Sequence, residues 1–425
     1  MRKIGVLTFI SFLAILCISV NTIPEKEESS LSTTVYPKDI TTIKSKKELA
    51  IRKIRKQQLI TALQTYFDQA IQRKKIIGAS VSIVKCDSMI FSGGFGERKA
   101  GSDQKVDANT IFRIGSLSKG FAGVLAGIQV EKGMMNWNDK VSGFYPEFHL
   151  KNAQITSQIT LDKILSHSSG VPRHSFTNLV EDGLSLEDIS SEFKVLIPVG
   201  DPGTIYSYQN AIYALSGGMM EKRTRKTMSQ LLKEDIFEPL QMTSASSDYE
   251  SLVKSENIAF PHSKRGGRWR TKKINQKYYN AVAAGGINAS ATDMAKWMRF
   301  LLGHDQQVLS SSTLNDVFKE HIVIPGRSKY YQRWKGHVSS HYGFGWRVHS
   351  FKNDEGSEEK VLHHGGTVSN YRSEIALFPD SDLGICVLFN SPTRLARNVI
   401  PELKEVVMQV LNSPIELNEE LPLIL

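Results

Sequence analysis

The sequence has 425 residues, 40% hydrophobic and 23% charged, an ordinary globular composition long enough to bury one large core or two moderate ones, which excludes an intrinsically disordered chain. Its 53 Lys and Arg against 43 Asp and Glu give a net charge of +10, concentrated at residues 44–56 and 264–277. These clusters read as a solvated helix face and a basic loop, or as surfaces drawn to an anionic envelope or polymer; without a recognisable binding motif they do not indicate nucleic acid.

Met1-Arg2-Lys3 followed by the apolar run Ile4 to Val20 has the layout of a secretory signal, with residues 1–22 either cleaved or retained as a membrane anchor. The expected location is therefore periplasmic or secreted. Residues 23–45, rich in Ser, Thr, Pro and Lys, read as a flexible linker. From Lys47 to Ile76 the residues Ile54, Leu59, Leu63, Phe67 and Ile71 recur at helical spacing. Ala79 to Val84 and Met89 to Phe95 form a strand pair around Lys85-Cys86-Asp87-Ser88, and Arg372 to Phe378 and Gly384 to Phe389 form another around Pro379-Asp380-Ser381-Asp382.

Between the two hairpins the sequence is mostly helical, at Leu117 to Lys132, Leu161 to Ser166, Ala211 to Lys222, Met228 to Phe237 and Ala291 to Leu302. Strands near both ends predict an α/β (α+β) fold: an antiparallel sheet built from both chain ends, flanked by helices, with an all-helical insertion. The predicted domain is 46–415, with an α/β lobe at 46–145 and 280–415 and a helical lobe at 146–279. Pro325 to Tyr342 is the least regular stretch. Cys86 and Cys386 lie in strand-like runs and are expected as buried free thiols or, in an oxidising space, as a pair.

Ser-x-x-Lys alone decides nothing, because it occurs at Ser82/Lys85, Ser102/Lys105, Ser116/Lys119, Ser191/Lys194, Ser251/Lys254 and Ser357/Lys360. Only Ser116 opens a long apolar helix, where one turn places Lys119 beside it and the helix N-terminus favours a developing oxyanion. A desolvated amine there can lose its proton and serve as base; the alternative is a capping serine with an exposed lysine.

Two further motifs complete a constellation. The turn from Pro202 to Ser207 leads into Tyr208-Gln209-Asn210 at a helix start, where a phenol could protonate a leaving group and an amide could hold a substrate carbonyl. Tyr278-Tyr279-Asn280 repeats the pattern in a basic loop of less certain geometry, so Tyr208 is preferred. His363-His364-Gly365-Gly366-Thr367 precedes the last hairpin, and its glycine pair allows close approach of substrate backbone to an exposed N–H. Adjacent strand histidines point to opposite faces and no third ligand follows, so neither a metal nor another cofactor is expected.

These pieces resemble the serine β-lactamase and penicillin-binding protein superfamily, within it the class C β-lactamase-like branch. The likeness covers about residues 60 to 410 and is supported by Ile159-Thr160-Leu161, Leu165-Ser166-His167-Ser168-Ser169-Gly170, Ala283-Ala284-Gly285-Gly286-Ile287-Asn288-Ala289-Ser290 and Tyr342-Gly343-Phe344-Gly345-Trp346. It implies Ser116 as acylated nucleophile, Lys119 as proton relay, Tyr208 and Asn210 as the Tyr-x-Asn element, and the backbone N–H groups of Ser116 and Thr367 as oxyanion hole. His167 and Gly170 would serve packing.

The class C Lys-Thr-Gly is replaced by His364-Gly365-Gly366, similar to a His-x-Gly version in some D-alanyl-D-alanine peptidases and esterases. His364 would then be a conditional cation for a substrate carboxylate, with Gly366, Thr367 and Arg372 lining the same site. The implied substrates are a β-lactam or a peptidoglycan-derived D-alanyl peptide, with a small ester or one-time acylation by penicillin as alternatives. Membrane attachment through the N-terminal segment is a further partner surface that the sequence suggests, and the sequence does not fix an oligomeric state.

Overall fold

The structure is a computed structural model that describes residues 39–353 and 355–415, with side chains from Lys47 onward. The export segment and most of the expected linker, residues 1–38, lie outside the described residues. Helix α1 (Asp39–Gln72) begins inside the stretch expected as linker. The chain forms two units, Met1–Ala50 and Ile51–Leu425, and the second holds both the sheet and the site.

Two hairpins far apart in sequence build one sheet. Strands β1 (Gly78–Lys85) and β2 (Ser88–Gly96) join β3 (Ile322–Val323), β4 (His337–Tyr342), β5 (Arg347–Lys352), β6 (Glu358–Val368), β7 (Tyr371–Phe378) and β8 (Leu383–Phe389). The eight strands run in the order β2-β1-β8-β7-β6-β5-β4-β3, so the first and last hairpins meet at the β1–β8 pair, Ala79 opposite Phe389 and Lys85 opposite Leu383. Both strands are buried along nearly their whole length, Ser80 and Ser82 of β1 included, because both faces of the sheet are covered. On one face Leu59, Leu63 and Phe67 of α1 and Ile400, Leu403 and Val407 of the final helix pack against Val81, Ile385 and Val387. On the other, Ile375, Leu377 and Leu388 join the core of the helical region.

That region carries the helices that matter for the site: α2 (Ser118–Glu131), α3 (Asn210–Thr224) and α4 (Ala291–Leu301). Helix α2 is apolar nearly all round, and its residues from Ser118 to Gln129 are buried, as expected of a helix inside the core. Phe121 stacks on Trp297 of α4 at 3.9 Å between ring centres. Helix α4 opens with a capping box between Ser290 and Asp293, which ends the preceding turn at a defined residue.

Two expectations need correction. The insertion at 146–279 is not all helical, since His262–Arg265 and Arg268–Thr271 form a small hairpin; Gly266 and Gly267 occupy its tip at φ of 56° and 74°. The irregular stretch 325–342 contains a 3₁₀ turn at Tyr330–Arg333 and then β4, whose half-exposed polar residues give no clean alternation. Cys86 and Cys386 are both free, the first half-buried in a turn and the second buried in β8.

Candidate active site

Ser116 lies in a 3₁₀ turn, Gly115–Leu117, that runs directly into α2, rather than in the helix itself. In such a turn positions i and i+3 nearly eclipse, which brings Lys119 Nζ to 3.4 Å from Ser116 Oγ. Ser116 is partly exposed whereas Lys119 is wholly buried. The capping alternative with an exposed lysine is thereby excluded.

The surroundings of Lys119 decide what it can do. Its amine donates to Asn210 Oδ1 at 2.8 Å and to the Ala284 carbonyl at 2.7 Å. Burial holds its pKa below that of a free lysine, with Arg347 adding to the effect and Tyr208 opposing it. A neutral amine has two N–H groups and one lone pair. With both hydrogens committed to Asn210 and Ala284, the lone pair is left for the Ser116 hydroxyl, which is the geometry of a general base.

Tyr208 reaches the same point from the segment just before α3. Gln209 accepts the Ala211 N–H at 2.7 Å, which starts the helix and fixes the residues on either side. The Tyr208 ring packs beside Lys119, whose Nζ lies 5.0 Å from the ring centre. Burial pushes this phenol up, but Lys119, Ser116 and Arg347 together pull it below the usual tyrosine range. Lys119 and Tyr208 therefore favour each other's ionised form beside the nucleophile. His167 is buried, with its ring 4.2 Å from Tyr208, 5.0 Å from Tyr213 and 4.8 Å from Tyr342, wedged behind this group.

The third wall is the distal half of β6. Pairing with β5 stops at His363 opposite Arg347, while pairing with β7 continues to Val368 opposite Tyr371. Residues 364–368 thus have an edge outside the β5 pairing, next to the nucleophile turn. A Cβ on Gly366 would lie 2.1 Å from the Ile114 carbonyl and 2.3 Å from Ser373 Oγ. One on Gly115, at φ 55°, would lie 2.9 Å from the Thr367 backbone. These glycines let the Ser116 turn and the Thr367 backbone touch, and Ser373 Oγ donates to the Ile114 carbonyl at 2.7 Å to hold the contact.

His364 and Arg372 do not fit the roles expected of them. His364 is buried, its Nδ1 faces the Gly365 carbonyl at 2.9 Å and its Nε2 the Tyr342 hydroxyl at 2.9 Å. Since a carbonyl only accepts, Nδ1 carries the hydrogen and Nε2 accepts from Tyr342. Burial, with Arg347 and Lys119 nearby, holds its pKa well below the histidine range, so it is neutral and not a conditional cation. Arg372 donates to Glu374, to Thr367 Oγ at 3.0 Å and to the Gly366 carbonyl at 3.2 Å. Its charge is already paired.

A family model described as Beta-lactamase matches residues 63–406. The chain belongs to this family. Among curated proteins it is similar to Protein flp of Staphylococcus aureus (strain NCTC 8325 / PS 47), 25% identical over 351 residues that cover 81% of this chain and 64% of that protein. It is also similar to Unguisins hydrolase ungD of Aspergillus violaceofuscus (strain CBS 115571), 25% identical over 353 residues that cover 76% of this chain and 60% of that protein. The chain thus spans a little under two thirds of the length of these relatives. A solved structure, the octameric penicillin-binding protein homologue from Pyrococcus abyssi, shares its fold with TM-score 0.69 and 24% identity, over 81% of this chain and 77% of that one. The Beta-lactamase family is one of serine hydrolases.

Two residues of this family member's site were missed from the sequence. Arg347 directly follows the Tyr342 to Trp346 block, begins β5, and has Nε and Nη1 buried with no hydrogen-bond partner. Burial works against its charge, but Tyr331, Tyr330, Tyr206 and Tyr342 around it together outweigh that and raise its pKa, so it remains charged. Its position beside a glycine-rich block was the available signal. Tyr278, set aside as part of the repeated Tyr-x-Asn pattern, accepts the Asn210 Nδ2–H at 3.1 Å. Both tyrosine segments converge on one asparagine.

Proposed function

We propose that the chain is an exported acyl-transfer hydrolase in which Ser116 attacks the amide carbonyl of a β-lactam or a peptidoglycan-derived D-alanyl peptide. Lys119 takes the hydroxyl proton, the carbonyl oxygen is received by the N–H groups of Ser116 and Thr367, and Tyr208 or Lys119 returns the proton to the departing nitrogen. Asn210 holds the substrate amide, and water then attacks the ester carbonyl to release the acid and regenerate Ser116. The carrying observation is the arrangement of Lys119, whose two hydrogen-bond acceptors leave its third direction to Ser116 Oγ.

Arg347 supports an anionic acyl donor. A half-buried arginine whose Nε and Nη1 are buried without an acceptor, with no carboxylate partner among the described residues, is costly unless a ligand satisfies it. The edge of β6 next to it suits an extended chain ending in a carboxylate. Export rests on the basic start and apolar run at residues 1–20.

A second reading, a small-ester hydrolase, is favoured by the neutral state of His364, which leaves the position of the class C lysine without charge. Purified protein offered a chromogenic cephalosporin and a p-nitrophenyl ester separates the two. Faster turnover of the cephalosporin supports the first reading, and turnover of the ester alone supports the second. A single burst without turnover indicates one-time acylation, and equal hydrolysis by S116A overturns all three.

A further inference from the structure

Behind β6, on the face turned away from Ser116, lies a charged cluster that the reaction above does not use. Glu374 on β7 is fully buried. It receives the Tyr330 hydroxyl at 2.9 Å, His363 Nε2–H at 2.8 Å, and the Arg372 guanidinium. His363 is itself buried and held well below the histidine range by that burial, so it donates as a neutral ring. Arg372 spans from this carboxylate to Thr367 Oγ and the Gly366 carbonyl. Gly365 lies directly over the cluster: a Cβ there would sit 2.6 Å from the Tyr330 hydroxyl, 2.9 Å from Glu374 Oε2 and 3.0 Å from Arg372 Nη2.

We infer that Glu374 is a positioning residue for the oxyanion strand, which through Arg372 fixes Gly366 and Thr367 against the nucleophile turn, so that acylation depends on whether its carboxylate is ionised. This rests on the acyl-transfer reading and adds a control to the same site. Three donors converge on the carboxylate and satisfy its charged form, while burial favours the protonated one. Burial is the larger influence, opposed by Arg372, Tyr330 and Arg347, and the carboxyl is pushed up to about 7. Protonation would turn one accepting oxygen into a donor, which forces Tyr330 or His363 to accept instead, and would remove the counter-charge that holds Arg372 to the strand.

The other titratable groups around the cluster are Arg347 and His349 on β5, Cys386 on β8 and Tyr331 in the covering turn. His349 is kept neutral by burial, as its pKa lies well below the ordinary value. Burial likewise keeps the Cys386 thiol protonated. Arg347 is charged throughout. Glu374 is the member placed to change state near neutral pH.

The test is the rate at which a rhodamine-tagged fluorophosphonate labels Ser116, measured from pH 5.5 to 8.5 on the full protein and on E374Q, with S116A as blank. Any dependence contributed by Lys119 and Tyr208 cancels in the ratio of the two rates. The ratio is expected near one at pH 5.5, where native Glu374 is itself protonated, and about tenfold at pH 8.5, the size of one charge-assisted hydrogen bond. A ratio constant with pH marks a merely structural role and overturns the inference. R372Q, read in the same way, is expected to show the same rising ratio, and the double variant to be no slower than R372Q; this arm serves if E374Q fails to fold. A native protein unlabelled at Ser116 at every pH overturns the acyl-transfer reading and this inference with it.

Discussion

Strand β6 presents two histidines, one to each face, and the faces handle charge in opposite ways. Toward Ser116, His364 meets only a carbonyl and a phenol, and Lys119 bonds to Asn210 and the Ala284 carbonyl with no carboxylate among its partners. Away from Ser116, His363 meets Glu374, which also takes the Arg372 guanidinium. The difference follows from what each face must do. A proton that must move during the reaction needs sites of nearly equal affinity, and a fixed carboxylate beside Lys119 would hold the amine charged and inactive as a base. A backbone segment that must stay still is better held by a paired charge with defined direction.

The contrast between the faces breaks most readily at Lys119. K119M keeps the volume and removes the lone pair, and acylation of Ser116 is expected to fall by about a thousandfold, measured as single-turnover labelling. A decrease below about tenfold would mean that Tyr208 alone suffices as base.

The opposite face is sharpened by stability. Because burial raises the Glu374 carboxyl from 4.5 to about 7, the folded state binds this proton more tightly than the unfolded chain. The stabilisation is full below pH about 4.5 and is lost as pH rises to about 7, amounting to about 3 kcal/mol across that window. Urea unfolding at pH 5 and pH 8 should therefore show a loss in the native protein that E374Q lacks. Stability and activity then run in opposite directions with pH through the same carboxyl.

Arg347 stands where β5 gives way to the site. R347M is expected to raise KM for a carboxylate-bearing substrate about thirtyfold while leaving hydrolysis of p-nitrophenyl acetate within about twofold, since only the former places an anion at the guanidinium. An equal effect on both would assign Arg347 to the electrostatics of Lys119 and Tyr208. The smallest change is expected from Y278F, about fivefold in kcat/KM, as Asn210 loses one of the bonds that orients its amide.

Much of this was legible in the sequence. The two hairpins, the apolar helix after Ser116 and the paired glycines each rest on local physics, periodicity in the first two and backbone clearance in the last, and local physics is what a sequence carries. The charge state of His364 was not legible, because it depends on burial beneath Tyr342 and Tyr208, which come from distant segments. Arg372 and Glu374 were within reach: residues two apart on a strand share a face, so their pairing could have been read from the period alone. Arg347 was only weakly signalled, by its place after the glycine-rich block, as its importance lies in the hydrogen-bond partners that Nε and Nη1 lack. Tyr278 was misjudged because a flanking basic hairpin suggested a surface loop, whereas the chain turns inward at Tyr278, φ 70°, and buries its ring.

The most direct test of the acyl-serine mechanism is the intact mass and peptide map of the protein quenched during reaction with benzylpenicillin. Acyl transfer as described predicts a mass gain of one penicilloyl group on the peptide that carries Ser116 and no gain in S116A. An adduct on another residue, or one that survives in S116A, would contradict it.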